Sequence, residues 1–239
     1  LAVREALLSA ALIDAKHLAL ISGTTVGGMD RTEKFYPDNL NAVILGNHDC
    51  GSGTDRIADY FGNFDFATTI STACSSALNA IIVGAEMIEA GLKDIVVVGG
   101  TESLSRFHLN GFKSLMILDQ NICRPFNADR AGLNLGEGAG FIVIESEESA
   151  KRRGANVLAE LKGTGNACDA YHQTASSENG EGAFLAMSKA VAEAGIHVDD
   201  IQYVNAHGTG TPNNDACESS ALSRVFGNKM PKVSSTKMY

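Results

Sequence analysis

The sequence has few basic residues, no long apolar run and no closely spaced cysteine pair, and each absence excludes a class of protein. Its 239 residues carry 19 Lys and Arg against 28 Asp and Glu, a net charge of -9, and Lys151-Arg152-Arg153 is the only basic cluster. A nucleic-acid-binding protein usually presents a basic face, so we do not expect nucleic acid as a partner. No apolar run approaches the roughly 20 residues that a membrane span requires, so we expect no membrane association.

The five cysteines are odd in number, widely spread and without a CxxC pair. This pattern disfavours a disulfide framework or a zinc site, so we expect no metal, and it favours a reducing, cytoplasmic setting. Residues 1–20 include charged side chains and do not have the composition of a signal peptide. With 44% hydrophobic and 20% charged residues, the chain has the composition of a folded globular protein.

Helical and strand patterns alternate along the chain, which predicts an α/β fold with a largely parallel sheet. Residues 17–23 and 94–99 form continuous apolar segments, typical of strands in a sheet that is covered on both faces. Residues 75–91 are apolar nearly all round and predict a helix buried within a domain. Further helices are predicted at 1–14, 182–194 and 215–226, and further strands at 66–72, 141–145, 157–163, 201–205 and 232–235.

Three predicted strands each run directly into a residue with reactive chemistry. The strand FATTIST leads to Cys74, the strand IQYVN leads to His207, and the strand KVSS leads to Lys237. Ligands of open α/β sheets bind at the carboxyl ends of the strands. We therefore expect a thiol, an imidazole and an amine to emerge on one edge of the sheet and to share a site.

Cys74 lies between a predicted strand and a predicted helix that would begin at Ser75 or Ser76. A thiol at a helix N-terminus is exposed to the positive end of the helix dipole, which favours the thiolate. The backbone N–H groups there can also stabilise an oxyanion formed when the thiolate attacks an acyl carbon. The alternative is a small buried apolar cysteine, which is how we interpret the other four cysteines.

His207 and Lys237 are weaker candidates on position alone. His207 opens the run HGTGTP, in which two glycines leave room for a substrate near the backbone and Thr209 and Thr211 offer hydroxyls. A lone histidine is more often structural than catalytic. Lys237 would be a charge at the end of an apolar strand, and the alternative for it is a solvated surface lysine.

Taken together, these residues resemble the β-ketoacyl-acyl-carrier-protein synthases, the elongating condensing enzymes of fatty-acid and polyketide synthesis. Seven runs carry the resemblance in the family's order: TACSSALNAI around Cys74, VVVGGTES at 96–103, RPFNADRAG at 124–132, LGEGAGFIVIE at 135–145, DAYHQT at 169–174, NAHGTGTPNND at 205–215 and VSSTK at 233–237.

The resemblance implies a thiolase-like α/β fold, in which two similar halves stack as five αβαβα layers. Residues 1–145 would form the N-terminal half with the nucleophilic cysteine, and residues 146–239 an incomplete C-terminal half with the histidine and the lysine. The family's first strand, its second catalytic histidine and its glycine-rich gating loop have no counterpart here, so we expect a chain truncated at both ends, which could be inactive alone. The family also implies a homodimer in which the strand 66–72 pairs with its twofold mate.

The resemblance also implies roles for individual residues. Cys74 matches the cysteine that takes the acyl chain as a thioester, and His207 matches one of two histidines that assist decarboxylation of the malonyl group. Lys237 matches the lysine of the S-T-K run. Asp215 and Glu218 match acidic positions behind the site, with Glu218 the expected partner of Lys237. Thr209 and Thr211 match threonines that bind the phosphopantetheine arm of acyl-carrier protein, the expected partner.

The expected reaction is the decarboxylative condensation of an acyl thioester with malonyl-acyl-carrier protein in fatty-acid elongation. It needs no cofactor beyond the phosphopantetheine that carries the substrates. Two alternatives stay open. The runs TACSS and HGTGT favour a ketosynthase of a polyketide or polyene pathway, whereas VSSTK favours the fatty-acid enzymes. A non-catalytic partner subunit is disfavoured because such subunits typically lack the cysteine.

Overall fold

The computed structural model describes residues 1–172 and 175–238, and the chain divides into two compact units. The first unit comprises residues 1–109 and 136–159, and the second comprises residues 110–135 and those from 160 onward. The expected halves met at residue 145, so the two divisions differ in residues 146–159, which belong to the first unit, and in the segment 110–135. That segment belongs to the second unit because its side chains and backbone bond to it, for example through Cys123 Sγ and the carbonyl oxygen of Thr209 at 3.2 Å.

The first unit is built around a four-stranded sheet. Its strands are β1 (Leu18–Gly23), β2 (Phe64–Ile70), β3 (Ile95–Glu102) and β4 (Gly138–Glu145), in the order β2-β1-β3-β4. β1 pairs in parallel with β2 and β3, and β4 runs antiparallel to β3. Six of its helices lie wholly within the unit: α1 (Ala2–Ser9), α2 (Met29–Phe35), α3 (Ala42–Leu45), α4 (Cys50–Phe61), α5 (Ser76–Glu89) and α7 (Glu147–Arg153). Helix α6 (Arg106–Ser114) begins in this unit and continues into the second.

The central strand β1 is buried along its whole length, as its continuous apolar pattern predicts. Leu18 and Leu20 pack with Val97 and α1 on one face, while Ala19 and Ile21 pack with Ala80 of α5 on the other. These alternating side chains form two hydrophobic clusters, one on each face of the sheet, and hold α1 and α5 against it.

Helix α5 lies very close to the sheet because a glycine of the helix and a glycine of β1 lie where the two are in contact. A Cβ on Gly84 would lie 2.6 Å from Cγ1 of Val98, and one on Gly23 would lie 2.6 Å from the backbone nitrogen of Ala77. The expectation that this helix is buried nearly all round is wrong in this chain. Its buried residues lie on one face, and Leu78 on another is 65% exposed.

The second unit contains α8 (Glu181–Ala194), α9 (Pro212–Phe226) and the short parallel strands β5 (Tyr203–Asn205) and β6 (Lys232–Ser234). Helix α8 ends at Gly195, whose φ of 64° makes it the expected glycine stop. The guanidinium of Arg224 in α9 lies 3.9 Å from the ring centre of Phe184 in α8, which fixes the packing of the two helices.

Two sequence predictions are wrong about local structure. Residues 157–163 form no strand in the described chain, because their backbone pairs with no neighbouring strand, and Leu158 is 82% exposed. The end of this segment instead packs on α8, where a Cβ on Gly163 would lie 2.3 Å from the carbonyl oxygen of Ala190. Helix α1 ends at Ser9 rather than residue 14, because Ala11 has a φ of 55° that no helix continues through.

Within the described residues, none of the helices is long and apolar enough to cross a membrane.

Candidate active site

Cys74 lies in a tight turn between the end of β2 and the start of α5, as the sequence predicts, and its thiol is exposed. The preceding residue, Ala73, has a φ of 52°, a left-handed conformation that is uncommon for alanine. Strain of this kind concentrates where a strand turns sharply into a helix to present a nucleophile. We call residues 72–76 the Cys74 turn.

Serine and threonine side chains hold the Cys74 turn closed. Ser76 Oγ accepts a hydrogen bond from the backbone nitrogen of Thr72 at 2.9 Å and donates one to the carbonyl oxygen of Ala73 at 2.6 Å. Ser75 Oγ donates to the carbonyl oxygen of Thr72 at 2.7 Å. These bonds tie both sides of Cys74 together and offset the strain at Ala73.

The position of Cys74 gives its thiol the environment of a nucleophile. It immediately precedes Ser75, the N-cap of the 14-residue helix α5, and therefore lies near the positive end of that helix dipole. The backbone N–H groups at the start of α5 can stabilise an oxyanion formed beside the sulfur. Exposure alone does not distinguish Cys74, because Cys168 is exposed as well; the strand-to-helix turn does.

In the second unit, the structure brings His207 and Lys237 together. His207 follows β5, Lys237 lies in the 3₁₀ turn Thr236–Met238 after β6, and the parallel pairing of β5 with β6 places the two strand ends side by side. Lys237 Nζ lies 3.1 Å from His207 Nδ1 and 2.6 Å from the carbonyl oxygen of His207. A protonated amine has no acceptor, so it donates to both atoms.

Glu218 of α9 holds the same segment from another side. Its carboxylate accepts hydrogen bonds from the backbone nitrogens of His207 at 2.7 Å and Gly208 at 2.8 Å. The expected direct pairing of Glu218 with Lys237 is therefore wrong. The Glu218 carboxylate accepts from the backbone of His207 and Gly208, and the Lys237 amine donates to His207, so both residues bind the histidine and not each other.

The surroundings of His207 lower the pKa of its imidazole below the ordinary value. The largest cause is the loss of hydration around the ring, and the next is repulsion from the Lys237 ammonium group. Glu218 and Asp215 act in the opposite direction but do not cancel the shift. His207 is therefore neutral near pH 7, and because Nδ1 accepts from Lys237, its proton is on Nε2.

Asp215 is 1% exposed and organises the loop that carries His207. One carboxylate oxygen accepts from the backbone nitrogen of Phe126 at 2.7 Å, and the other accepts from that of Gly210 at 3.2 Å. Arg130 Nε lies 3.6 Å away and compensates the buried charge. Asp215 thus connects the HGTGT loop to the RPFNADRAG segment.

Thr209 and Thr211 are both buried, each 7% exposed. Their hydroxyl oxygens lie 2.8 Å apart and hydrogen-bond to each other. Gly210 between them has a φ of 72°, and a Cβ there would lie 2.6 Å from the carbonyl oxygen of Gly132. Glycine is therefore required at this position of the loop.

A cavity of about 230 Å³ lies beside this group in the second unit. His207, Glu218 and Cys217 line it together with Asp169, the first residue of the DAYHQT run. Gln173 and Thr174 of that run lie outside the described residues. The cavity therefore offers space for a substrate beside His207.

Two of the remaining cysteines have the structural character that the sequence suggests. Cys123 and Cys217 are buried, and burial raises the pKa of each thiol, which keeps both protonated. Neither environment supports a nucleophile at neutral pH.

The prediction of one shared sheet edge is wrong for Cys74. Cys74 follows a strand of the four-stranded sheet in the first unit, whereas His207 and Lys237 follow the two-stranded sheet in the second. Within the second unit, the structure brings Lys237 to the ring of His207 and Glu218 to its backbone.

Sequence reasoning missed several residues that position the site. They are Asn79 behind the Cys74 turn, and Phe126 and Arg130 around Asp215. The sequence could have identified Asn79, because it is a polar side chain within the apolar segment 77–85. The sequence could not have identified Phe126, because its contribution is a backbone hydrogen bond that any residue except proline can supply.

Family models match nearly the whole chain. The model described as "Beta-ketoacyl synthase, N-terminal domain" matches residues 2–150, and that described as "Beta-ketoacyl synthase, C-terminal domain" matches residues 158–239. Nodulation protein E of Rhizobium meliloti is 38% identical over 99% of this chain and 61% of its own length. The 3-oxoacyl-[acyl-carrier-protein] synthase 2 of Staphylococcus aureus is 36% identical over 99% of this chain and 62% of its own.

The solved structures that resemble this chain are ketosynthases as well. The ishigamide ketosynthase/chain length factor matches with a TM-score of 0.88 and 33% identity over 94% of this chain and 57% of that one. A ketosynthase in complex with its chain length factor from Xenorhabdus doucetiae matches with a TM-score of 0.83 and 34% identity over 99% of this chain and 58% of that one. The thiolase-like α/β fold class is thereby confirmed. The chain spans about three fifths of the length of the relatives it matches.

Proposed function

Because this chain belongs to the β-ketoacyl synthase family, we propose that it condenses an acyl thioester with malonyl-acyl-carrier protein to give 3-oxoacyl-acyl-carrier protein and CO2. The observation that carries the proposal is the exposed Cys74 in a strained turn at the N-terminus of α5. Covalent acyl transfer requires a thiol in such an environment.

In the first half-reaction, the Cys74 thiolate attacks the carbonyl carbon of the acyl thioester. The tetrahedral intermediate carries a negative charge on oxygen, which the N-terminus of α5 stabilises. The intermediate collapses by breaking the bond to the carrier sulfur, which leaves as a thiolate and takes up a proton. The acyl group remains on Cys74 as a thioester.

In the second half-reaction, the malonyl group loses CO2, and the electron pair of the broken C–C bond forms a thioester enolate. His207 stabilises the enolate oxygen by donating its Nε2 proton in a hydrogen bond, because the ring is neutral and Nδ1 is occupied by Lys237. The enolate carbon then attacks the acyl group on Cys74, and the Cys74 thiolate is released.

The remaining predicted residues support these steps. Lys237 and Glu218 hold His207 in place through its ring and its backbone. We assign Thr209 and Thr211 to the phosphopantetheine arm, in which case their mutual hydrogen bond is the one a substrate would replace. The chemistry uses thioesters throughout and needs no metal or redox cofactor.

We place the reaction in fatty-acid elongation, with a polyketide ketosynthase as the second candidate. The S. aureus relative supports the first pathway, and the two ketosynthase structures that carry chain length factors support the second. The two differ in primer chemistry, because fatty-acid elongation extends a fully reduced acyl chain and polyketide synthesis extends an unreduced 3-oxoacyl chain.

For assembly, we propose a homodimer formed through β2. This strand lies at the edge of its sheet, beside β1 on one side only among the described residues. Its residues are at most half-buried, and an unpaired edge of this kind can pair with its twofold mate. A monomer in light-scattering measurements at micromolar concentration would contradict this part of the proposal.

Acyl-carrier protein is the proposed protein partner. Carrier proteins are acidic, so docking requires exposed basic side chains. Of the three basic residues Arg106, Lys113 and Arg124, Arg124 is unsuitable because its guanidinium already pairs with Asp119 at 2.9 Å and Asp129 at 2.6 Å. Arg106 and Lys113 on α6 are exposed and are the better candidates.

The test combines malonyl-acyl-carrier protein with either a saturated acyl-carrier primer or a 3-oxoacyl-carrier primer. Mass spectrometry of the carrier then detects the extended product. Extension of the saturated primer alone supports fatty-acid elongation, and extension of the 3-oxoacyl primer supports the polyketide alternative. If Cys74→Ala extends either primer as well as the unaltered protein does, the proposed function is wrong.

A further inference from the structure

Asn79 is a buried amide in an otherwise apolar stretch of α5. It is 8% exposed, and from Ala77 to Ala85 its neighbours along the helix are Ala, Leu, Ile, Val and Gly. A buried polar side chain among such residues costs stability unless its hydrogen bonds are made. The Asn79 amide therefore needs hydrogen-bond partners at this position in the helix.

Those partners lie in the Cys74 turn. Asn79 Nδ2 donates to Thr72 Oγ1 at 2.8 Å and lies 3.2 Å from Ser75 Oγ. Thr72 precedes Cys74 by two residues, at the end of the strand, and Ser75 follows it directly. One amide thus contacts both sides of the nucleophile.

The contacts of Asn79 differ from those of the serines in what they connect. Ser75 and Ser76 bond to the backbone of residues 72 and 73, and Ser75 Oγ also bonds to Thr72 Oγ1 at 3.1 Å, so the serines close the turn on itself. Asn79 is one helical turn further along, and its bonds connect the Cys74 turn to the body of α5. The helix in turn is fixed to the sheet through Ala80, which is fully buried.

We propose that Asn79 is a positioning residue for Cys74, which holds the thiol in register with the N-terminus of α5 and thereby sets its reactivity. The proposal rests on the proposed function in taking Cys74 as the nucleophile. Asn79 does not touch substrate. It acts through Thr72 and Ser75, and without it the strained turn can relax and move the sulfur away from the helix end.

The test is the rate of alkylation of Cys74 by iodoacetamide at pH 7, measured by peptide mass spectrometry. Exposed Cys168, in the second unit, serves as the internal reference in the same sample. For Asn79→Ala, we expect this rate to fall about tenfold at Cys74 relative to Cys168, because a relaxed turn moves the sulfur away from the N-terminus of α5.

Two further variants separate positioning from stability. Met87→Ala, on the same helix and packed against the sheet cluster, is expected to lower the melting temperature and leave the rate at Cys74 relative to Cys168 unchanged. Thr72→Val removes the hydroxyl that accepts from Asn79 and keeps the size of the side chain, so it is expected to lower the rate at Cys74 as well. This variant decides the matter if Asn79→Ala does not fold.

An unchanged rate at Cys74 in a folded Asn79→Ala or Thr72→Val protein would overturn the proposal, because Asn79 would then act on stability alone. An equal loss of rate at Cys74 in Met87→Ala would overturn it too, since any loosening of α5 would suffice. Alkylation needs no acyl substrate, so a failure of the proposed condensing activity would be recognised separately, by the absence of acyl transfer to Cys74 in the unaltered protein.

Discussion

Lys237 Nζ lies 3.1 Å from His207 Nδ1, so the two strand ends of the second unit place an ammonium group against an imidazole. This contact has two consequences. The positive charge disfavours protonation of the ring, and the hydrogen bond at Nδ1 directs the ring proton to Nε2. A neutral histidine that donates from Nε2 is suited to stabilise an oxyanion or an enolate.

The first prediction concerns the two charged residues that hold His207. Lys237→Met removes a repulsion and is expected to raise the pKa of His207, whereas Glu218→Gln removes an attraction and is expected to lower it. Asp215 also faces the ring electrostatically and stays unchanged in both variants. NMR titration of the His207 Cε1 proton measures both shifts. Shifts in the same direction would contradict the electrostatic account of this group.

The same pKa sets a pH dependence of stability. In the unfolded chain His207 has its ordinary pKa near 6.5, and in the folded chain the pKa is lower. As the pH falls below about 6.5, the unfolded chain binds a proton first, so this histidine lowers the free energy of unfolding over that range. Lys237→Met should weaken this dependence, as urea unfolding at several pH values would detect.

The second prediction separates the two half-reactions at His207. His207→Ala should leave acyl transfer to Cys74 nearly intact and slow decarboxylation of malonyl-acyl-carrier protein by about 10²- to 10³-fold, the usual effect of losing one oxyanion donor. Release of labelled CO2 and the mass of the Cys74 peptide report the two steps separately. Equal losses in both would place His207 outside the role assigned to it.

The third prediction compares two glycines. Gly210→Ala introduces a Cβ 2.6 Å from a backbone oxygen at a positive φ, and should destabilise the fold by about 1–3 kcal/mol. The matched control is Gly53→Ala in α4, where a Cβ meets nothing within 4 Å and should stabilise the helix by about 0.5–1 kcal/mol. Denaturant unfolding measures both, and a neutral Gly210→Ala would show that the HGTGT loop adapts freely.

Much of the fold could be predicted from the sequence because its elements have strong local signals. β1 and β3 are continuous apolar runs, and Gly195 ends α8 where expected. The segment 157–163 has the composition of a strand yet pairs with none in the described chain, because composition specifies the tendency to pair and not the presence of a partner.

The candidate site was predictable as a set of residues but not as a set of contacts. Cys74, His207 and Lys237 each follow a strand, and the sequence identifies them on that basis. The carboxylate of Glu218 was expected at Lys237 and instead accepts from the backbone of His207. Backbone N–H groups are the same at every residue, so a sequence cannot show which of them a half-buried carboxylate will bind.

The account's central claim is that Cys74 carries the acyl group, and one measurement tests it most directly. The protein is incubated with an acyl-acyl-carrier protein, digested, and its five cysteine-containing sites are compared by mass spectrometry, with Cys74→Ala in parallel. We predict the acyl mass on the Cys74 peptide of the unaltered protein and on no peptide of the variant. Acylation of another cysteine with Cys74 unmodified, or acylation that persists in Cys74→Ala, would contradict the account.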